Sequence, residues 1–288
     1  MANTLITPQN VARAALASYQ YNAVLPRVVN RNYVTEFGGG SGDTVTIRKQ
    51  ATLQANLFDR TTGIVTQDIT EGSVQLTVSD IFDISAVIIQ EQWDMELTDF
   101  NYQVSEPAGK AMVRKSEEVI ATELAKVNAS NVVEFDPAAP MAAFIGARAK
   151  MNVAEVPADD RVWVLGVDVA AALLGTDNLL KANEAGDAGA LRSASIGRLL
   201  GSPVVESVVV PADSGYLVQR EAITYVSITP AMPRGSASGS VQTYDSQAMR
   251  VVFGYDQNRK QDTVSFDAYL QAKLIRSEAL TGVVLPTP

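Results

Sequence analysis

The chain has 288 residues, of which 47% are hydrophobic and 19% charged, and its formal net charge is −9 at pH 7. This length and apolar content suffice for one large domain or two modest ones. Because the chain contains no cysteine and no histidine, disulfides, thiolate nucleophiles, imidazole catalysis and Cys/His metal sites are excluded. The acidic charge disfavours tight nucleic-acid binding, so we expect any contact with DNA to be loose or local.

The N-terminal residues and the short apolar runs bear on localisation. No apolar run approaches the roughly 20 residues that a membrane-spanning helix needs. Residues 1–10 lack the basic and apolar regions of a secretory signal. We therefore expect no membrane association and synthesis in the cytoplasm.

The N-terminal segment predicts a helix followed by an extended arm. Thr7 and Pro8 form a helix start, and the apolar spacing predicts a helix that ends near Tyr19. Residues 24–37 contain a proline and several β-branched residues without a helical period. The glycines of the run that follows are Gly38, Gly39, Gly40 and Gly42. No Gly-Lys-Ser/Thr follows them, so the run predicts a flexible joint rather than a phosphate loop.

Two alternating segments predict a long hairpin. Apolar and polar residues alternate over 43–53 and again over 73–78, which is typical of two half-exposed antiparallel strands. The joining segment, residues 55–72, has few large apolar groups and should not bury itself in its own domain. Its charged residues are Asp59, Arg60, Asp68 and Glu71. We expect this hairpin to project from the body of the protein.

A strand and a long helix follow the hairpin. Residues 81–89 are largely apolar on both faces and predict a buried strand at the base of the hairpin. Ser105 as the cap, Glu106 in the first turn and Pro107 predict the start of a helix that continues to Asn128. On its solvated face, Arg114 with Glu118 and Glu123 with Lys126 are spaced for ion pairs that support the helix.

The second half of the chain predicts a mixed α/β lobe. Its expected elements are a helix over 141–151, a strand over 161–165, a helix over 167–174, a mobile loop over 183–195 and β-rich stretches over 203–210, 216–228 and 250–255. Residues 263–275 alternate like a strand and precede a proline-bearing tail. Trp93 and Trp163 are expected to be core or interface anchors.

No motif in the chain supports catalysis or a cofactor. The loop at 235–239 resembles a nucleophile elbow only superficially, because Ala237 stands at its centre and no histidine is present. The paired carboxylates Asp159–Asp160 and Glu117–Glu118 are expected to be solvated surface. We predict no catalytic, cofactor-binding or metal-binding residue, and no cofactor.

The order of these elements resembles a known family. A glycine-jointed arm, a projecting hairpin, a long capped helix, a mixed lobe and a returning C-terminal strand follow one another as in the major capsid proteins of tailed bacteriophages. Residues 140–174 and 196–211 are similar to the A-domain of that family. The resemblance covers nearly the whole chain and implies an α+β protein of the HK97-like fold.

The resemblance divides the chain into four parts. They are an N-arm over 1–42, an E-loop over 43–79, a P-domain over 80–135 and 241–288, and an A-domain over 136–240. Residues 106–128 correspond to the spine helix of the P-domain.

The resemblance also implies a structural function without catalysis. Such a subunit assembles with itself into the pentamers and hexamers of an icosahedral phage head that encloses double-stranded DNA. Implied partners are a scaffolding protein, a portal and possible decoration proteins, with assembly in the host bacterial cytoplasm and a final place in the virion capsid. We expect the hairpin charges Asp59, Arg60, Asp68 and Glu71 to pair with an adjacent subunit. The expected hinge residues are Gly38, Gly39, Gly40, Gly42 and Gly72.

Three alternatives stay open. An encapsulin-type compartment shares the fold and holds a cargo enzyme instead of a genome. A hydrolase with two acidic residues across a cleft needs neither histidine nor cysteine. A tail or baseplate protein would form tubes or rings instead of a closed shell.

Overall fold

The structure, a computed structural model, describes most of the chain as helices and strands in an α+β arrangement. The described residues are 8–37, 43–49, 53–61, 63–64, 66–69, 71–89, 100–136, 139–175, 197–234, 238–244 and 247–285. The α-helices are α1 (Pro8–Asn22), α2 (Leu25–Val28), α3 (Glu106–Leu124), α4 (Pro140–Val153) and α5 (Val167–Leu174). Within these ranges, no helix has the length and apolar character needed to cross a membrane.

The strands of the described ranges form three sheets of two, five and six strands. They are β1 (Thr44–Arg48), β2 (Ser73–Thr77), β3 (Ile81–Ile89), β4 (Val132–Glu134), β5 (Arg161–Leu165), β6 (Arg198–Leu199), β7 (Ser202–Glu206), β8 (Ser214–Gln219), β9 (Ile223–Ile228), β10 (Ser238–Tyr244), β11 (Gln247–Asp256), β12 (Gln261–Leu274) and β13 (Leu280–Val284). The β1–β2 pair was predicted from alternation, as was the strand over 263–275, which corresponds to β12, and β5 has the bounds predicted for it, 161–165.

The N-terminal segment is packed on the body of the protein. Helix α1 is longer than predicted, and its buried stripe contacts α3 and the strands β10 and β11. The members of that stripe are Val11, Ala12, Ala15 and Leu16. The extended arm predicted for residues 24–37 was wrong in part, because α2 and a 3₁₀ turn at Asn32–Glu36 lie within it. The burial of Leu25 and Val28 stabilises a helix there although the local sequence has little helical preference.

Helix α3, the spine helix, lies under the five-stranded sheet. It was predicted over 106–128 and ends earlier, at Leu124. The predicted cap at Ser105 was wrong, because Ser105 is buried with helical dihedrals (φ −69, ψ −43) at the end of a π-helical turn, Asn101–Ser105. The chain therefore enters α3 from a preceding turn and not from a capped start.

The five-stranded sheet has the order β10-β11-β12-β3, and β9 extends it by pairing with the later part of β12. Strand β3 has the predicted bounds, but the prediction that both of its faces are buried was wrong. Only alternate residues turn inward, and Ile88 alone among them is fully buried. β3 pairs with β12 on one side and is an edge strand in the described part of the chain.

The six-stranded sheet has the order β4-β13-β8-β5-β7-β6. Strand β13 was missed, since residues 280–284 were interpreted as part of a tail, yet they lie between β4 and β8. Trp163 is fully buried, as expected for a core anchor, and contacts Phe144 edge-on with ring centroids 4.9 Å apart. Trp93 and the loop at 183–195 lie outside the described residues. The division into N-arm, E-loop, P-domain and A-domain stays a prediction.

Candidate assembly interface

The hairpin is firmly anchored at its root. β1 and β2 pair antiparallel, with Thr44 opposite Thr77 and Arg48 opposite Ser73. Their inward side chains form a second small core with the end of the N-terminal segment and with β9. This core consists of Phe37, Val45, Ile47, Leu76, Val78, Val226, Ile228 and Ile275. The direction in which the hairpin leaves the body is therefore fixed by packing as well as by the ladder.

Beyond the root, the hairpin leaves the body of the protein. The ladder closes with the amide of Lys49 donating to the carbonyl of Gly72 at 2.7 Å. Further out, Gln67 bridges the two arms, because its side-chain oxygen accepts from the amide of Gln54 at 2.9 Å and its side-chain nitrogen donates to the Gln54 carbonyl. The tip turns at Asp59, whose carbonyl accepts from the amide of Gly63 at 2.8 Å.

The hairpin carries large apolar side chains that no described part of the chain covers. The exposed fraction is 96% for Leu57, 83% for Ile64, 68% for Ile69 and 63% for Phe58. The prediction that the segment has few large apolar groups was wrong, and it hid this feature. Contiguous exposed apolar side chains on a projecting element are typical of a protein–protein contact.

The four predicted charged residues are spread along the hairpin and do not meet at one point. Asp59 shapes the turn, since its carboxylate accepts from the amide of Thr61 at 3.0 Å. Arg60 is exposed beside it at the tip, and Asp68 is exposed on the returning arm. Glu71 lies at the root, 3.7 Å from Arg48 across the ladder. Their pairing with an adjacent subunit stays a prediction.

The predicted glycine hinges are only partly within the described structure. Gly38, Gly39, Gly40 and Gly42 lie outside the described residues. At Gly72, a Cβ would meet only the Lys49 side chain, at 3.6 Å, which is ordinary contact. No close approach at Gly72 therefore demands glycine, and its role as a hinge stays a prediction.

A second uncovered surface lies on β3. Its outward residues include Ile81, Val87 and Ile89, with exposed fractions of 47%, 53% and 41%. An edge strand presents backbone amides and carbonyls to any strand that approaches, and exposed apolar side chains strengthen such a contact. β3 is a candidate contact surface for a second copy, because it is an edge strand and carries exposed apolar side chains.

Two carboxyl groups and one guanidinium lie in a row across the outward face of the same sheet. Asp83 on β3 is directly opposite Asp267 on β12, which is directly opposite Arg250 on β11. Burial of its carboxyl raises the pKa of Asp267 above the ordinary value, and the adjoining Asp83 raises it further, against the opposing effect of Arg250.

Two concavities in the described part of the surface bear on the two-carboxylate hydrolase. One concavity, of about 220 Å³ at the hairpin root, has Glu221 as the single carboxylate in its lining. Another, of about 530 Å³ beside α3, has Glu118 as its single carboxylate. Glycoside hydrolysis of this kind needs two carboxyl groups facing each other about 5–9 Å apart. Among the described residues, no group of three or more acidic side chains could hold a metal ion.

The spine helix holds two buried carboxylates that the sequence did not reveal. Glu117, predicted to be solvated, is buried and accepts from the amides of Val24 and Leu25. Glu123 was assigned to the solvated face, yet it is buried, and it accepts from the amide of Leu274 at 2.9 Å while pairing with Lys126. Their partners are distant in sequence, so local spacing could not identify them.

The arrangement of a hairpin, a spine helix under a sheet and a mixed lobe is that of the HK97-like capsid fold. Comparison with solved structures supports this over most of the chain. A structure of Mycobacterium phage Che8 is similar with a TM-score of 0.69 and 20% identity over 91% of each chain. The capsid structure of cyanophage P-SCSP1u gives 0.64 and 12%, covering 86% of this chain and 85% of that one.

A virus-like particle from Pyrococcus furiosus is also similar, with a TM-score of 0.60 and 8% identity over 96% of this chain and 98% of that one. No protein-family model matches the chain, and no curated relative matches it. The chain has the HK97-like fold, and its predicted α+β class is confirmed. Its resemblance to tailed-phage major capsid proteins is confirmed at the level of that fold.

Proposed function

We propose that this protein is the major capsid protein of a tailed bacteriophage, which assembles with itself into the pentamers and hexamers of an icosahedral head around double-stranded DNA. It performs no catalysis. A scaffolding protein, a portal and decoration proteins are its expected partners, and DNA is held by loose contacts with an acidic chain. It assembles in the cytoplasm of the host bacterium and ends in the virion.

The observation that carries this proposal is the uncovered hairpin. A segment that exposes Leu57, Phe58, Ile64 and Ile69 is unfavourable in an isolated chain. The same chain presents an apolar edge strand, β3, that is also uncovered. A contact between the hairpin of one copy and the sheet of the next would bury both surfaces. Because donor and acceptor surfaces differ, such a contact is head-to-tail and repeats around a ring.

Replacing two of the exposed apolar residues tests this contact. Full burial of a large apolar side chain contributes about 1.5–3 kcal/mol, so Leu57→Ser with Ile64→Ser should weaken each contact about a thousandfold. Negative-stain electron microscopy and sedimentation of the purified protein, alone and with a scaffolding protein, would measure assembly. We expect closed shells from the wild type and unassembled chains from the double variant.

A matched variant that keeps the surface apolar provides the control. Leu57→Met with Ile64→Leu retains the apolar area and should still assemble. Both variants should unfold at the wild-type temperature, since the altered side chains are exposed in the isolated chain. Shells from the serine variant as abundant as those of the wild type would contradict the proposed contact, and wild-type chains that never close into shells would contradict the proposed function.

The charged residues of the hairpin are tested separately. Replacing Asp59, Arg60, Asp68 and Glu71 together by serine removes every charge of residues 55–72. If these residues pair with an adjacent subunit, the variant should assemble less readily than the wild type at low salt, and the difference should shrink at high salt, which screens the wild-type ion pairs. Unchanged assembly and particle stability would show that these charges do not hold neighbouring subunits together.

An encapsulin-type compartment is the second candidate, favoured by the similarity to the virus-like particle from Pyrococcus furiosus over 96% of this chain. The two functions differ in what the shell encloses. Genes for a terminase and a portal beside this one, with DNA in the native particles, would support the phage head. A neighbouring cargo enzyme, found inside the particles by mass spectrometry, would support the compartment.

A further inference from the structure

The row of charged side chains on the outward face of the five-stranded sheet contains more carboxyl groups than guanidinium groups. Asp267 has a side chain only 7% exposed, and Arg250 only 11%. The Arg250 guanidinium donates to one carboxylate oxygen of Asp267 through Nε, at 2.9 Å, and through Nη2. Its remaining Nη1 donates to the carbonyl of Ala231. Arg250 is therefore fully engaged and neutralises one carboxylate.

Asp83 lies on the side of Asp267 opposite Arg250, and among the described residues no cation forms an ion pair with it. Ser85 donates its hydroxyl to both oxygens of the Asp83 carboxyl, at 2.9 and 3.0 Å. The charged groups that act on Asp267 are Arg250 from β11 and Asp83 from β3. Strand β10 places Val241 opposite Arg250 and adds no charge there. The row thus contains two carboxyl groups and one guanidinium, which pairs with Asp267.

Asp83 and Asp267 lie directly opposite each other on the paired strands β3 and β12. Two carboxylates offer only acceptors, so two carboxyl groups can share a hydrogen bond only when one of them holds a proton. Like charges directly opposite each other on adjacent strands are destabilising. A proton on the pair therefore favours the pairing of β3 with β12 at this point, and loss of that proton leaves two negative charges facing each other.

We propose that Asp83 and Asp267 form a proton-dependent latch that holds the first half of β3 in the sheet while the pair carries a proton and loosens it as the pH rises. Strand β3 is an edge strand, so β12 is its single neighbour in the described chain. Asp83 lies six residues after Thr77, where β2 ends. Loosening β3 there would release the chain that leads out of the hairpin root.

The biological role of the latch rests on the proposed function, because the latch would regulate how freely the hairpin can adjust to a neighbouring copy. It acts in an unassembled chain, however, and can be tested there. Hydrogen–deuterium exchange of the purified chain, corrected for intrinsic rates, should be measured from about pH 5 to about pH 8. The variants are Asp83→Asn and, as a control, Asp80→Asn, which removes an exposed carboxylate just before β3.

In the wild type, protection of the amides over 81–85 should fall as the pH rises through the folded-state pKa of Asp267, about tenfold for each unit by which that pKa is raised. Asp83→Asn should show no such fall, because the amide carries no charge at any pH. Asp80→Asn should behave as the wild type does. An identical pH dependence in Asp83→Asn and the wild type would overturn the latch.

A carbon-13 titration of the wild-type aspartates keeps the test decisive if Asp83→Asn does not fold. The latch requires the carboxyl group of Asp267 to titrate with a pKa above its ordinary value. Titration of Asp267 at the ordinary value would overturn the latch. Shell assembly is a separate measurement, so closed shells together with a failed latch would leave the proposed function intact.

Discussion

Glu117 ties the N-terminal segment to the spine helix, and removing it should free that segment without disturbing the helix itself. The carboxylate is buried and accepts from the amide of Val24 at 2.9 Å and from that of Leu25 at 3.3 Å. These are the first amides of α2, which otherwise have no side-chain cap. A carboxylate at a helix N-terminus is also favoured by the helix dipole, though α2 is short.

The expected loss can be worked out from these two bonds. A hydrogen bond to a charged group contributes about 1.5–3 kcal/mol, and a buried amide left without a partner is unfavourable by a similar amount. Water can replace the carboxylate at Val24, which is 36% exposed, but not at Leu25, which is 1% exposed. Glu117→Ala should therefore lower the free energy of unfolding by about 2–4 kcal/mol. Glu117→Gln keeps an acceptor oxygen and should lower it by about half as much.

Urea denaturation measures the total loss in the free energy of unfolding, and hydrogen–deuterium exchange shows where in the chain the loss occurs. Exchange in Glu117→Ala should accelerate over 23–29 more than within α3. The neighbouring Glu118→Ala is the matched control, because Glu118 makes only surface ion pairs with Arg114 and Lys115 and should lower stability by less than about 1 kcal/mol. Equal losses in the two variants, or unchanged exchange over 23–29, would refute the tether.

Arg161→Ala should lower the free energy of unfolding by about 2–4 kcal/mol, because the buried guanidinium donates to the carbonyls of Val156 and Pro157, just after α4, and to the side-chain oxygen of Asn152 in the last turn of α4. Arg161→Lys should restore little of this loss, and full recovery by lysine in urea denaturation would contradict the geometry. Phe144→Ala should lower it by about 3–5 kcal/mol, since the ring is fully buried between Phe135 and Trp163. Thermal unfolding would test this against Ile145→Ala, whose side chain is 54% exposed and whose loss should be small.

Local patterns predicted most of the regular elements, because alternation and helical spacing are properties of short segments. The hairpin strands, the bounds of β3 and the helix α5 at Val167–Leu174 follow from such patterns. The local patterns did not predict which faces of these elements are buried. β3 is apolar on both faces in sequence, yet one face is uncovered, since what covers a face is decided by distant segments or by another chain.

The missed parts share one physical cause, which is dependence on partners far along the chain. β13 has a strand-like sequence, but only its pairing with β4 and β8 distinguishes it from a tail. Glu117 is identical in type to its exposed neighbour Glu118, and its role appears only when Leu25, 92 residues earlier, is brought beside it. The candidate contact surface was predicted from its charges, whereas its exposed apolar residues, Leu57 foremost, were overlooked.

The anchored root and the uncovered tip together determine where the hairpin can adjust. Val45, Ile47 and Leu76 are packed against β9, so turning the hairpin at its root would disrupt a core. The ladder ends where Lys49 bonds to Gly72, and beyond that point the described arms are held together mainly by Gln67. Any change in the angle of the hairpin should therefore fall beyond Lys49 and Gly72, while the packed root keeps its position against β9. The proposed assembly into both pentamers and hexamers would need this combination of a fixed base and an adjustable contact.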